Sequence, residues 1–188
     1  MRVNVSPITL LYFAVCLLFS HRLTVVAVCC AVLIHELTHL FVLWLMGGSA
    51  ASLTVTPIGF SIERVGLLSH TQEIVLSISA PMINLLLALG FGGAMLDQCA
   101  VEANLGLGLL NLFPIYPLDG GKALRALLER FLSSDLASGI MQIISAIFML
   151  ILWLFSIAVC IVLNGSISTL LLVAGLFISI IHFDEAHK

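Results

Sequence analysis

Charge is what this sequence has least of. Only 9% of its 188 residues are charged, whereas 61% are hydrophobic. A soluble domain carries about 25% charged residues and about half apolar ones. A soluble core of this size cannot bury the excess, and the apolar residues cluster in long blocks, as membrane segments do. Basic residues are scarce too. Seven Lys and Arg face ten Asp and Glu, a net charge of -3, so no basic field points to nucleic acid. The cysteines (Cys16, Cys29, Cys30, Cys99 and Cys160) show no CxxC spacing, which excludes a thiolate metal site and a disulfide framework. Most lie in or beside apolar runs, where a thiol behaves as a small hydrophobe. Repeats, low-complexity tracts and a soluble domain are also missing. The first apolar stretch ends in Leu18-Phe19-Ser20-His21-Arg22. That offers no small-residue cleavage site, so the stretch reads as a retained first span.

What is present divides into about six membrane segments. They run from Ser6 to Ser20, Leu23 to Met46, Glu73 to Leu96, Val101 to Phe113, Ser138 to Leu163 and Ser166 to His182. The first and fourth are short. With both termini in the cytoplasm, six spans put Arg2, Arg64, Lys122, Arg125, Arg130 and Lys188 on the cytoplasmic side, in agreement with the positive-inside rule. The expected fold class is an all-α membrane protein. One exception follows the second segment, where Ala51–Thr56 and Ile58–Ile62 alternate and are rich in β-branched residues, broken at Pro57. This predicts a small membrane-embedded β-hairpin whose edge can pair with an extended peptide.

The chemistry concentrates in His35-Glu36-Leu37-Thr38-His39. Residues four apart on a helix lie about 40° apart, on one face. Two imidazoles so placed can bind one tetrahedral zinc. In a zincin-type helix the intervening glutamate does not touch the metal; it is the catalytic base. A carboxylate within a span costs about 2.5 to 3.5 kcal/mol on insertion scales, so Glu36 demands a function. A catalytic zinc usually has three protein ligands. The candidate for the third is Asp119, in the Pro- and Gly-broken stretch Asn111-Leu112-Phe113-Pro114-Ile115-Tyr116-Pro117-Leu118-Asp119-Gly120-Gly121. Spacing alone leaves a second reading open, in which Asp119 caps the helix from Gly120 to Phe131.

Three stretches in order resemble the site-2 protease family of intramembrane metalloproteases. HELTH fits its HExxH helix. Ser79-Ala80-Pro81-Met82-Ile83-Asn84 resembles its small-Pro-x-x-Asn motif, and Asn111 to Gly121 resembles its Asn-x-x-Pro-x-x-Pro-Leu-Asp-Gly-Gly motif. The resemblance covers about Leu23 to Arg130. It implies one zinc on His35, His39 and Asp119, with Glu36 as base, and Asn84 and Asn111 as substrate-binding groups. It also implies regulated intramembrane proteolysis of a membrane-tethered protein, such as a transcription-factor precursor, in a bacterial inner or cell membrane, with membrane inhibitor proteins as possible regulators. The compact layout is similar to the sporulation branch, which matures a sigma-factor precursor. A single transmembrane domain over residues 1–188 is expected, with no PDZ domain between Asp97 and Ala100 and no C-terminal regulatory domain before Lys188. Two rivals stand beside this reading. A membrane zinc transporter also carries His and carboxylate in its spans, but its ligands line a path instead of converging. A catalytically silent scaffold has no need for Glu36.

Overall fold

The computed structural model describes residues 2–5, 22–56, 59–90 and 97–162. Its elements are strand β1 (Arg2–Val5), helix α1 (Arg22–Leu45), strands β2 (Ser49–Thr56) and β3 (Gly59–Val65), and helices α2 (His70–Gly90), α3 (Gln98–Leu112), α4 (Asp119–Glu129) and α5 (Ser134–Val162). The described residues are mostly helical. Among them, three stretches are long and apolar enough to cross a membrane: Leu23–Leu45, His70–Gly90 and Ser134–Ala158. They correspond to the second, third and fifth expected segments. The first and sixth lie outside the described residues. The fourth is a helix of only 15 residues, which at about 1.5 Å per residue reaches about 22 Å. That falls short of the ~30 Å hydrocarbon core of a bilayer.

β2 runs antiparallel to β3, from the Ser49–Val65 pair to the Thr56–Gly59 pair. β1 adds in parallel on the other side of β2, so the sheet order is β1-β2-β3.

Local chemistry explains where the helices start. At α2, the Ser69 amide donates to Gln72 Oε1 at 2.9 Å, and the Gln72 amide donates to Ser69 Oγ at 3.3 Å. This reciprocal capping box satisfies two amides that have no partner inside the helix. Glu73 adds negative charge in the first turn, where the helix dipole favours it.

Inside the bundle, α2 and α3 approach closely. A Cβ on Gly108 would stand 3.0 Å from the Pro81 carbonyl oxygen and 2.9 Å from Leu85 Cγ. Small residues permit such approach where lipid supplies no hydrophobic drive and packing must hold helices together. Asn104, Gly108 and Asn111 are buried at i, i+4 and i+7 of α3. This spacing gives the helix one polar and small face, turned toward α1 and α2.

The segment between α3 and α4 crosses over with a cis Tyr116-Pro117 bond. Ile115 and Leu118 anchor it against Met149, with Phe113, Phe148 and Leu152 packed around them. The Tyr116 amide donates to Ser145 Oγ at 3.0 Å, and the Arg125 guanidinium lies 5.4 Å from the Tyr116 ring centroid. α4 then turns back beneath the end of α3. A Cβ on Gly121 would stand only 2.5 Å from the Tyr116 nitrogen, and one on Gly120 would stand 2.7 Å from the Phe113 carbonyl oxygen. No side chain fits at either position, so the two glycines let the chain carry Asp119 to its place.

The outer faces are apolar. On α1, Leu33, Leu37, Phe41 and Trp44 are exposed, as are Ile143, Ile147, Leu150 and Leu154 on α5. A span presents such faces to lipid.

Candidate metal centre

α1 is one-sided at its middle. Leu33, Leu37 and Phe41 point outward, whereas His35, Glu36 and His39 are buried. The two imidazoles stand edge to face, with centroids 4.9 Å apart. Both converge on one carboxylate oxygen. His35 Nε2 lies 2.9 Å, and His39 Nε2 3.0 Å, from Asp119 Oδ2. One ligand atom from each of the three residues lies within 4.8 Å of the others. All three residues are nearly sealed from solvent, at 4%, 9% and 4% exposure.

Asp119 is the first residue of α4, and Leu118 occupies the cap position without a side-chain cap bond. Of the two readings that spacing leaves open, the carboxylate takes the one facing the histidines. Lys122 Nζ donates to its other oxygen, Oδ1, at 3.1 Å. Burial alone would raise the Asp119 carboxyl. The contacts to His35 and His39 and the Lys122 charge outweigh burial, and hold it well below the usual carboxylate range.

The far sides of the rings determine which nitrogens carry protons. His39 Nδ1 lies 3.0 Å from the Leu76 carbonyl oxygen, which can only accept, so Nδ1 donates. His35 Nδ1 lies 2.8 Å from Asn84 Oδ1, and donates likewise. In a neutral imidazole the other nitrogen is then an acceptor. Two Nε2 lone pairs and a carboxylate oxygen thus meet in one buried space. Only positive charge between them resolves that encounter, either as extra protons on the imidazoles or as a metal ion. The donor set of two imidazole nitrogens and one carboxylate oxygen suits a catalytic zinc, which leaves its fourth position open. The residues present fit the metal.

The family resemblance implies Asn84 and Asn111 as substrate-binding groups. Asn84 is fully buried, and its amide serves protein partners. Its oxygen accepts from His35, and its nitrogen donates to Asn104 Oδ1 at 2.8 Å and to the Ala31 carbonyl at 3.3 Å. Asn111 donates to the Leu107 carbonyl of its own helix at 3.1 Å. The structure adds Asn104, Lys122 and the Leu76 carbonyl as partners of the site. The sequence held a signal for Asn104, which precedes Gly108 and Asn111 on the same helical face. Lys122, three residues after Asp119 on a helix, had one as well. The Leu76 carbonyl is backbone and leaves no signature in residue type.

The family model of peptidase family M50 matches residues 92–155, a stretch that holds Asp119 but neither histidine. A curated zinc metalloprotease of Methanocaldococcus jannaschii is 27% identical over 111 residues, covering 53% of this chain and 32% of the relative. The chain thus spans about a third of that relative's length. Among solved structures, a site-2 protease from Methanocaldococcus jannaschii superposes with a TM-score of 0.70 at 21% identity, covering 94% of this chain and 87% of the other. At that identity the likeness speaks for the fold. The chain is thus similar to peptidase family M50 over residues 92–155 and shares the fold of a solved site-2 protease.

Proposed function

We propose that this protein is an intramembrane zinc metalloendopeptidase that hydrolyses a peptide bond in or near the membrane segment of a tethered substrate. The observation that carries the reading is the convergence of His35 Nε2, His39 Nε2 and Asp119 Oδ2 within one buried cluster, with the buried Glu36 on the helix that carries both histidines. When bound there, zinc supplies Lewis acidity and a nucleophile from water at neutral pH.

The chain's own residues do the rest. His35, His39 and Asp119 hold the metal. Glu36 takes a proton from the attacking water and passes it to the leaving amine nitrogen. The new C–O bond forms first; the C–N bond then breaks as the nitrogen takes the proton from Glu36, leaving a carboxylate and an amine. Burial of the site restricts bulk water and strengthens each of these interactions. A substrate helix must first be extended, because its own hydrogen bonds shield the scissile amide. The sheet supports that step: β3 lies at one edge of the strand order, and an edge strand can pair with an extended peptide. Asn111, buried at the end of α3, is the candidate to position the substrate. The substrate class suggested by the family resemblance is a membrane-anchored regulatory protein, with the cluster reached from the cytoplasmic side of a bacterial membrane.

Co-expression with a candidate tethered substrate tests the proposal, comparing the parent with Glu36→Gln at equal zinc content. Cleavage should fall by about 10² to 10⁴-fold, the range of general acid–base contributions. Normal cleavage by a zinc-loaded Glu36→Gln protein would remove Glu36 as the base. Zinc flux in proteoliposomes without peptide cleavage would replace the protease with a transporter.

A further inference from the structure

Two buried asparagines stand behind His35 in a line that ends on the backbone of α3. Asn104 Nδ2 donates to the Ala100 carbonyl, one turn back in the same helix, at 2.8 Å. A carbonyl has no proton to give, so this bond fixes which end of the Asn104 amide is nitrogen. Its oxygen is thereby turned outward, and accepts from Asn84 Nδ2 at 2.8 Å. Asn84 is oriented in turn, and its oxygen faces His35 Nδ1 at 2.8 Å. Asn84 is 0% exposed and Asn104 4%, so bulk water cannot substitute for either partner. The close packing at Gly108, one turn along α3, brings the two amides within reach.

We propose that Asn104 is a positioning residue for the metal centre: its oxygen holds the Asn84 amide in the one orientation that makes His35 Nδ1 a donor and leaves His35 Nε2 free to ligate. The alternative orientation shows what is at stake. If the Asn84 amide turned over, its NH₂ would face His35 Nδ1 and make it an acceptor. The ring would then carry its proton on Nε2, where the ligating lone pair must be. Turning over would also set the Asn84 oxygen against two other oxygens, those of Asn104 and Ala31. The Ala31 contact is the longer, at 3.3 Å, so the Asn104 bond is the main restraint. His39 needs no such relay, because a backbone carbonyl holds its Nδ1 directly. Outer partners of this kind commonly shift metal affinity by about 10 to 100-fold.

This inference rests on the ligand assignment made above, and the test separates the two. The full chain in detergent is titrated with zinc against a chromophoric chelator. If the parent fails to bind one zinc, the ligand assignment itself fails. Given parent binding, Asn104→Leu should weaken zinc by about tenfold or more. A residue acting through Asn84 also predicts non-additivity: Asn84→Leu/Asn104→Leu should bind zinc no more weakly than Asn84→Leu alone. Equal affinity of Asn104→Leu and parent, or additive losses in the double variant, would overturn the proposal. Should the leucine variant fail to fold, histidine ¹⁵N NMR of the zinc-loaded parent decides. The relay requires His35 protonated at Nδ1 and ligating through Nε2; the opposite tautomer refutes it.

Discussion

Replacing Gly121 with alanine should cost the protein its metal without touching a ligand. An alanine Cβ there would lie 2.5 Å from the Tyr116 nitrogen and closer still to the Ile115 carbonyl, whereas ordinary contact begins at 3.4 Å. α4 must therefore withdraw by about 1 Å, or the 113–118 crossover must yield by as much. The crossover is anchored on Met149 through Ile115 and Leu118, so α4 is the part that moves. Asp119 lies two residues away in the same helical turn and moves with it. Metal–ligand distances are satisfied only within about 0.2 Å, and a misplacement of about 1 Å can cost on the order of 100-fold in rate. Zinc affinity of Gly121→Ala should therefore fall by at least about tenfold, and cleavage by about 100-fold. Gly106→Ala is the control. It is also helical, yet nothing lies within 4 Å of its would-be Cβ. Alanine is favoured over glycine in a helix by about 0.5 to 1 kcal/mol, so this variant should bind zinc like the parent and melt no earlier. Chelator competition and zinc content after dialysis read both. Parent-like zinc affinity in a folded Gly121→Ala protein would refute the claim that backbone contact at this glycine positions Asp119.

Asp119→Ala should lower zinc occupancy more than any non-ligand change. Unchanged affinity by chelator competition would remove Asp119 from the ligand set. Stripping the metal with a chelator should abolish cleavage, and adding zinc back should restore it; cleavage that survives full removal would rule out a metalloprotease. At the start of α2, Gln72→Ala breaks the capping box and should cost about 0.5 to 1.5 kcal/mol of stability, seen as a lower melting point with zinc affinity unchanged. Loss of zinc binding without any thermal shift would mean that Gln72 acts on the site and not on the helix.

How much of this was legible in the sequence depended on the distance over which each feature is encoded. The HELTH helix was the most local: helical periodicity alone puts His35 and His39 on one face, and α1 carries them so. Asp119 was harder, because two prolines and two glycines announce a broken segment without saying where it turns. Only the packing of Ile115 and Leu118 and the close approach at Gly120 and Gly121 decide between a cap and a ligand. The fourth segment illustrates a limit of hydropathy, which marks apolar runs but not where a helix ends. Pro114 stops α3 at 15 residues. Least legible was the Asn104–Asn84–His35 line, whose members are 20 and 49 residues apart. Asparagine type alone does not distinguish a group reaching for substrate from one saturated by protein. Which it is depends on tertiary packing.

The shortness of α3 has a consequence for the surrounding lipid. A helix about 8 Å shorter than the hydrocarbon core that ends beside the Asp119 crossover cannot bring both its ends to the headgroups. Either the membrane dimples toward the protein, or one end of α3 stays submerged among its neighbours. Such hydrophobic mismatch carries a modest cost per ångström. It ties the site to bilayer thickness, a property of the host membrane and not of the peptide chain. Thin-acyl lipids would relieve the mismatch and long-acyl lipids would deepen it, so reconstitution in a chain-length series should tune how readily water and substrate reach the cluster.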